Sequence, residues 1–227
     1  MPDDASVWRF ELPAEAAAEL TQHAVRRRVS DGVLIHARGD APDGLYHVVR
    51  GKVRMSAVSA GGREMVLTIL EPGSWFGEIS LLDGLPRTHD AHAVGDTELL
   101  VVPRDRFDAL LVQRPALVQH IVRLLCRRLR LALAAIEDAA LLPLPARLAK
   151  RLLGAPTGDP AALSLPQGEL ARLVGTSRQS ISKILKAWER RGWVSIAYGK
   201  VTLVDASALV ALVAAADSGE GDGDTDP

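Results

Sequence analysis

The residues best suited to binding chemistry lie in one segment, residues 73–93, which reads GSWFGEISLLDGLPRTHDAHA. A short apolar turn follows Gly77 and predicts a helix whose first amides and positive dipole end can face an anion. Arg87 can donate paired hydrogen bonds to phosphate oxygens, and Thr88 adds a hydroxyl group. Glu78 can accept hydrogen bonds from a ribose hydroxyl. Arg87 alone also suits a surface arginine, and Glu78 a helix-start acid, but the ordered combination predicts a site for a phosphate-bearing ligand.

A second chemical pattern occupies residues 167–192, QGELARLVGTSRQSISKILKAWERRG. It predicts two short helices, because Gly175 can take the left-handed turn that ends the first, and Ser177 is an N-cap residue for the second. In a helix-turn-helix, the start of the second helix meets base edges. Arg178 can bind guanine and Gln179 can pair with adenine. The polar face near that helix start comprises Arg178, Gln179, Ser182 and Lys183. The alternative is a helical hairpin with a solvated polar face.

The residues after this pair of helices alternate as two strands of a small hairpin. Residues 193–197 form the first, Tyr198-Gly199-Lys200 the turn, and residues 201–204 the second. A helix-turn-helix followed by a hairpin predicts a winged DNA-binding domain. Charge favours the same interpretation: residues 141–216 carry ten lysines and arginines against four acids, a net charge of +6, although the whole chain carries −1. Such a basic segment is typical of phosphate-backbone binding, and scattered solubilising charge is the alternative.

Bulk composition sets broad limits. The chain has 227 residues, enough for two modest domains, and 48% of them are hydrophobic. No apolar run approaches the length of a membrane span, and the acidic start MPDDASVWRF has no signal-peptide pattern, so we expect a cytoplasmic protein with no membrane partner. Cys126 is the single cysteine, which excludes an internal disulfide and a cysteine-ligated metal cluster. Its position in an apolar helical pattern predicts a buried or half-buried thiol.

Short β-rich runs separated by glycine-containing turns fill residues 25–102, after an acidic lead and a helix near Ala14–Leu20. This spacing predicts a compact antiparallel barrel or sandwich. From Pro103 the pattern turns helical for about thirty-five residues, and the prolines after Leu141 predict a hinge.

The long helical segment carries two apolar stripes. One is a heptad seam of Val118, Val122, Leu125, Leu129, Ala132, Ile136 and Ala139. The other comprises Leu117, Ile121, Leu124 and Leu131. One stripe can pack on its own domain and the other on a partner, which predicts a parallel homodimer. The alternative is a helix packed wholly within one chain.

The order of these motifs resembles that of the cyclic-AMP receptor protein/FNR (CRP/FNR) family of bacterial transcription regulators, over the chain except its lead and tail. The matching motifs are Gly39-Asp40, Asp43-Gly44-Leu45-Tyr46, Gly51, Phe76-Gly77-Glu78, Pro86-Arg87-Thr88 and the run from Leu173 to Ser180. The resemblance implies an α+β fold with a cyclic-nucleotide-binding β-roll of jelly-roll type (1–103), a dimerisation helix (104–140) and a winged helix-turn-helix (141–216). The acidic segment 217–227 is then a disordered tail.

The resemblance also implies roles for individual residues. The residues that it implies contact the ligand are Gly77, Glu78, Ile79, Arg87, Thr88, Ala132 and Leu133. The residues that it implies contact DNA are Gln167, Thr176, Ser177, Arg178, Gln179, Ser180, Ser182, Lys183 and Lys200. It further implies that ligand binding reorients the DNA-reading helices of a homodimer on palindromic double-stranded DNA, which then recruits or blocks RNA polymerase.

Three positions depart from the family pattern, and the first two concern the cyclic-AMP-responsive members. Ala132 and Leu133 stand where those members place hydroxyl residues against adenine, and Gln179 stands where the enteric type has a glutamate. Cyclic AMP is the first expectation for the effector, with cyclic GMP, cyclic di-GMP or no ligand as alternatives. A haem-based sensor is a further family option, but nothing fixes an axial pair among His36, His47, His89 and His92.

Two other classes of function compete. A signalling module would bind a nucleotide and use the winged helix to contact a protein. An enzyme acting on nucleotides is disfavoured, because the sequence shows no metal-ligand cluster, nucleophile motif or phosphate-binding Walker loop.

Overall fold

The computed structural model describes residues 11–62, 64–154, 162–163, 167–197 and 200–218. Their contacts divide the chain into two compact units, one within Arg9–Arg130 and one within Leu131–Pro227. None of the helices in these ranges combines the length and the apolarity that crossing a membrane requires.

The first unit is built on an antiparallel sheet, as the alternation of short β-rich runs predicts. Helix α1 (Ala14–Thr21) precedes it. The strands are β1 (Val25–Val29), β2 (Leu34–His36), β3 (Gly44–Val58), β4 (Glu64–Leu70), β5 (Trp75–Phe76) and β6 (Asp90–Pro103). Strands β1, β6, β3 and β4 lie side by side in that order, β2 pairs with β6, and β5 pairs with β3. The sequence pattern did not predict β1, because three consecutive arginines hide its alternation.

The core of this unit comes from the inward faces of the two longest strands. Tyr46, Val48 and Val53 of β3 are buried, and so are Ala91 and Leu99 of β6. Trp75 and Phe76 of β5 are also buried. These two buried side chains anchor the start of the following helix, α2 (Glu78–Asp83), against the sheet.

The helical run after Pro103 is two helices, where the sequence pattern predicted one. Helix α3 spans Arg104–Gln113 and α4 spans Pro115–Leu141. The break falls at Arg114, whose φ of −131° and ψ of 74° are not helical. The ring of Pro115 disfavours helical geometry at the residue before it, which explains the break.

Helix α4 buries only one of its two apolar stripes. Leu117, Ile121 and Leu124 are buried in the first unit, while much of the heptad seam is exposed. Cys126 is exposed as well. The expectation of a buried or half-buried thiol was wrong, because Cys126 lies beside the open seam and away from the packed stripe.

The second unit carries the remaining elements: α5 (Leu144–Leu153), β7 (Ala162–Leu163), α6 (Gln167–Val174), α7 (Arg178–Arg190), β8 (Val194–Ala197), β9 (Lys200–Leu203) and α8 (Ala206–Asp217). The three strands lie in the order β7-β9-β8. Leu148, Leu170, Ile181, Leu185 and Trp188 form the centre of one apolar core with β8, β9 and α8. Tyr198 and Gly199, and the tail beyond Ser218, lie outside the described residues.

Candidate functional site

Arg87 is the centre of the candidate ligand site in the first unit. Its residue is only 3% exposed, although it lies in the loop after α2. Nη1 donates to the carbonyl of Gly77 at 2.7 Å, and Nη2 donates to the carbonyl of Gly44 at 2.8 Å. Nη2 also donates to Oδ1 of Asp43 at 2.6 Å. The guanidinium is thus fixed in the protein before any ligand arrives, and its Nε has no partner among the described residues.

Asp43 and Tyr46 complete the setting of this arginine. The Tyr46 hydroxyl donates to Oδ2 of Asp43 at 2.6 Å, and the Arg87 guanidinium lies 5.4 Å from the centre of the Tyr46 ring. Burial works to raise the pKa of Asp43, but the hydrogen bonds from Tyr46 and Arg87 and the charge of Arg87 outweigh it and lower that pKa. Asp43 therefore stays ionised at neutral pH. Its role was not predicted, since the sequence analysis named Asp43 only as part of a family motif and assigned it no contact.

Gly77 provides the close approach that Arg87 needs. Its φ is +92°, a region that favours glycine, and it directly precedes α2. A Cβ at this position would lie 2.7 Å from Nη1 of Arg87 and 3.1 Å from the carbonyl oxygen of Gly44. A side chain here would displace the guanidinium.

Gly77→Ala tests this fit against a matched glycine at the other end of α2. Gly84 also has a positive φ, +73°, but a Cβ there meets nothing within 4 Å. We expect Gly84→Ala to lower the free energy of unfolding by about 1 kcal/mol, from backbone strain alone. Gly77→Ala should cost more, because it adds a steric conflict with Arg87, and it should weaken ligand binding. Denaturant unfolding and calorimetric titration measure the two effects; equal losses in both variants would contradict the steric account.

Glu78, the first residue of α2, is fully buried and forms an ion pair with Arg128 of α4. Arg128 also donates to the carbonyl of Trp75. The second carboxylate oxygen of Glu78 has no partner among the described residues. Sequence reasoning missed Arg128, because the pair joins residues fifty positions apart and no local motif marks it.

The other predicted ligand residues are exposed. Thr88 is exposed and its hydroxyl lies 2.8 Å from Nδ1 of His89. Ile79 is partly exposed on α2. Ala132 and Leu133 are both exposed on α4, in the part of that helix that belongs to the second unit. The structure therefore brings Gly77, Glu78 and Arg87 together, with Glu78 and Arg87 buried and Gly77 half-buried.

His36 is a buried neighbour of the site, and its ring makes no hydrogen bond within the described residues. Both ring nitrogens are without a partner in the described structure. The ring centre lies 5.8 Å from that of Tyr46 and 6.0 Å from that of Phe76. Burial, with the positive charge of Arg87 as the second cause, lowers the pKa of His36 from 6.5 to about 4. The imidazole is therefore neutral at physiological pH.

This histidine should make stability depend on pH. Between pH 6.5 and about 4, the unfolded chain binds a proton that folded His36 does not, so the free energy of unfolding falls as pH falls. The full effect is at most about 3 kcal/mol. His36→Phe keeps a ring and removes the titration, so its denaturant stability should decline less over this range. His23→Gln, at an exposed histidine, should follow the parent; an unchanged slope in His36→Phe would contradict the assignment.

The heptad seam of α4 offers an apolar surface along most of that helix. Leu129 is 60% exposed and Ile136 is 65% exposed. Val118 and Val122 are exposed, Leu125 is half-buried, and Ala132 and Ala139 are exposed. The described part of one chain leaves this seam largely uncovered.

The candidate DNA-binding surface lies at the start of α7 in the second unit. Gly175 has φ +75°, and the Ser177 hydroxyl accepts from the backbone N–H of Ser180 at 3.1 Å, so the predicted turn and N-cap are both present. Burial of Ile181, Leu185 and Trp188 fixes one face of α7. Arg178, Gln179 and Lys183 are then exposed on the opposite face.

The remaining predicted DNA residues surround this face less evenly. Ser177 is exposed, whereas Gln167, Thr176, Ser180, Ser182 and Lys200 are half-buried. Lys200 begins β9. The start of α7 thus exposes the cations of Arg178 and Lys183 and the side-chain amide of Gln179, and the Ser177 capping bond orders the first turn. This arrangement suits base-edge contacts in the major groove.

Comparison with known proteins identifies the two domains that carry these candidate sites. The cyclic nucleotide-binding domain family matches residues 26–114, and the Crp-like helix-turn-helix domain family matches residues 146–212. The chain is 37% identical over 185 residues to the cyclic AMP receptor protein of Thermus thermophilus, covering 81% of this chain and 86% of that one. It is 32% identical over 202 residues to the CRP-like cAMP-activated global transcriptional regulator of Mycobacterium tuberculosis, covering 86% and 90%.

A solved structure gives the same architecture. The c-di-GMP responsive global regulator CLP of Xanthomonas campestris superposes with a TM-score of 0.73 at 25% identity, covering 84% of this chain and 99% of that one. A cyclic-nucleotide-binding β domain, a long helix and a C-terminal helix-turn-helix domain therefore follow one another in this chain, in the order of a regulator and not of an enzyme. The chain belongs to the CRP/FNR family of transcription regulators.

Proposed function

We propose that this regulator is a homodimer gated by a cyclic nucleotide, with cyclic AMP as the first candidate, and that it binds palindromic double-stranded DNA. Gating is carried by one observation: Arg87 and Glu78 are both buried beside α2, and each keeps a polar atom without a partner, Nε of Arg87 and Oε2 of Glu78. Buried unpaired polar atoms are costly, and a ligand that bonded to them would remove that cost.

The arrangement suits a phosphate and a ribose together. Arg87 would face the cyclic phosphate with Thr88, while Gly77, Glu78 and Ile79 would line the ribose side. Asp43, whose side chain is half exposed, is the partner of Arg87 that an entering phosphate can replace. The relatives from M. tuberculosis and T. thermophilus are named for cyclic AMP, which favours that effector; the X. campestris regulator keeps cyclic di-GMP open.

Ala132 and Leu133 would contribute apolar contact to the base and no hydrogen bond. Affinity would then rest on the phosphate and ribose contacts, and discrimination among bases would be weak. Cyclic GMP is therefore a serious competitor for the site.

Dimerisation is proposed through the open seam of α4. An exposed apolar stripe along a long helix is a typical coiled-coil surface, and a two-fold dimer matches two half-sites on palindromic DNA. The seam residues are Val118, Val122, Leu125, Leu129, Ala132, Ile136 and Ala139. In the bound dimer the helix starts at Arg178 would read bases, and contact with RNA polymerase would follow.

Calorimetric titration of the purified protein with cyclic AMP, cyclic GMP and cyclic di-GMP tests the gate. Micromolar or tighter binding of one of them, with a matching rise in duplex affinity, is the expected result. Binding with no change in duplex affinity would favour a signalling module that acts on proteins, and no binding would overturn gating by these nucleotides. Sedimentation of the parent and of Leu129→Glu tests the seam, because a buried charge there should separate the dimer.

A further inference from the structure

Glu189 makes a contact between α7 and the wing that the motifs did not predict. The residue lies at the C-terminal end of α7 and is exposed. Its Oε1 accepts a hydrogen bond from the backbone N–H of Ile196 in β8 at 2.9 Å. No ion pair of Glu189 occurs with any cation in the described ranges, so this amide is its partner.

Strand pairing explains why the Ile196 amide is available. Ala197 pairs with Lys200 and Ile196 with Val201, and β8 is an edge strand of the sheet. In an antiparallel pair, alternate residues point their N–H groups away from the partner strand. Ile196 has this orientation, since its N–H donates to Glu189 and not to β9. Glu189 thus occupies a position on the edge of β8 that a neighbouring strand or water would otherwise take.

The wing is held at its base by other bonds. The N–H of Trp193 donates to the carbonyl of Trp188 at 2.9 Å, and the N–H groups of Val204 and Asp205 donate to the carbonyl of Trp193 at 3.0 Å. All these bonds lie where α7 joins β8 and where β9 leaves the sheet. Within the described residues, one side-chain hydrogen bond joins α7 to the far half of β8, and the Glu189 carboxylate accepts it.

A purely solubilising role does not explain why an acidic residue, Glu189, lies on α7. The surrounding segment is strongly basic, and Glu189 is one of four acids in residues 141–216. A carboxylate on the helix that faces DNA opposes binding through repulsion from phosphates. Any favourable contribution of Glu189 to DNA binding must therefore come from the hydrogen bond that its side chain makes and not from its charge.

We infer that Glu189 is a positioning residue that fixes the wing, β8 and β9, against α7, so that Lys200 and the start of α7 meet one DNA duplex together. The inference rests on the proposed DNA-binding function of α7. It assigns to an acidic residue a favourable role in binding a polyanion, which is opposite in sign to its electrostatic effect.

The test compares three variants on the duplex that the parent protein selects from a random pool. Glu189→Ala should weaken binding about threefold to tenfold, and the slope of log affinity against log salt should fall by about 1 for a lost phosphate contact. Glu189→Gln keeps an oxygen acceptor without the charge and should bind at least as tightly as the parent. Glu169→Ala is the control, because it removes the same charge from α6 without altering the Ile196 amide, and it should not weaken binding.

Amide hydrogen exchange separates this inference from the proposed function. Exchange at Ile196 should be faster in Glu189→Ala than in the parent and unchanged in Glu169→Ala, whether or not DNA is bound. Binding of Glu189→Ala that equals or exceeds that of the parent would overturn the inference, as would unchanged exchange at Ile196. A parent protein that selects no duplex would overturn the DNA-binding function itself, and Ile196 exchange would still decide whether Glu189 holds the wing.

Discussion

Arg87→Ala should weaken effector binding about a hundredfold or more, because it removes the buried cation on which the proposed phosphate contact depends. The same change removes the guanidinium donors from Oδ1 of Asp43 and from the carbonyls of Gly44 and Gly77. We therefore expect the free energy of unfolding to fall by about 2 to 4 kcal/mol as well. Calorimetric titration and denaturant unfolding measure the two losses separately.

The two effects of Arg87→Ala are separable by temperature and by a control. Titration well below the melting temperature ensures that the variant is folded, and sedimentation should show an unchanged dimer, since the proposed seam lies on α4. Arg106→Ala removes an exposed arginine of α3 and should leave both affinity and stability unaltered. Parent-like effector affinity in folded Arg87→Ala would remove Arg87 from the site.

Arg178→Ala should lower affinity for the selected duplex about tenfold to a hundredfold, because a bidentate arginine–guanine contact contributes that much to discrimination. Arg178 is exposed at the first position of α7, and its side chain makes no hydrogen bond within the described structure. Thermal stability and effector binding should therefore be unchanged. Gel-shift titration with the selected duplex and with single-base variants measures both the loss and its position dependence.

Lys186→Ala is the matched control for Arg178→Ala. Lys186 is an exposed cation of the same helix, two turns further from its start. Its loss should weaken binding modestly and equally for all duplexes, since a general charge effect carries no sequence information. If Arg178→Ala also weakened all duplexes equally, Arg178 would contact the backbone and not a base.

Local patterns were sufficient wherever a property depends on neighbours in sequence. Gly175 and Ser177 predicted the turn and the N-cap of α7, and the apolar spacing of Ile181, Leu185 and Trp188 predicted its buried face. Both were found, because capping and helical periodicity act over three or four residues. The same locality explains the error over one long helix, since the periodicity continues through Arg114 although the ring of Pro115 stops the backbone.

The sequence by itself determined the family, the order of the domains and the residue types at each candidate site. Only the tertiary structure decided what those residues contact. It paired Arg87 with Asp43, Glu78 with Arg128, and Glu189 with the Ile196 amide. It also buried His36 near the rings of Tyr46 and Phe76 and left Cys126 exposed. Such outcomes depend on which segments the fold brings together and which it leaves open to solvent, and no local spacing records that information.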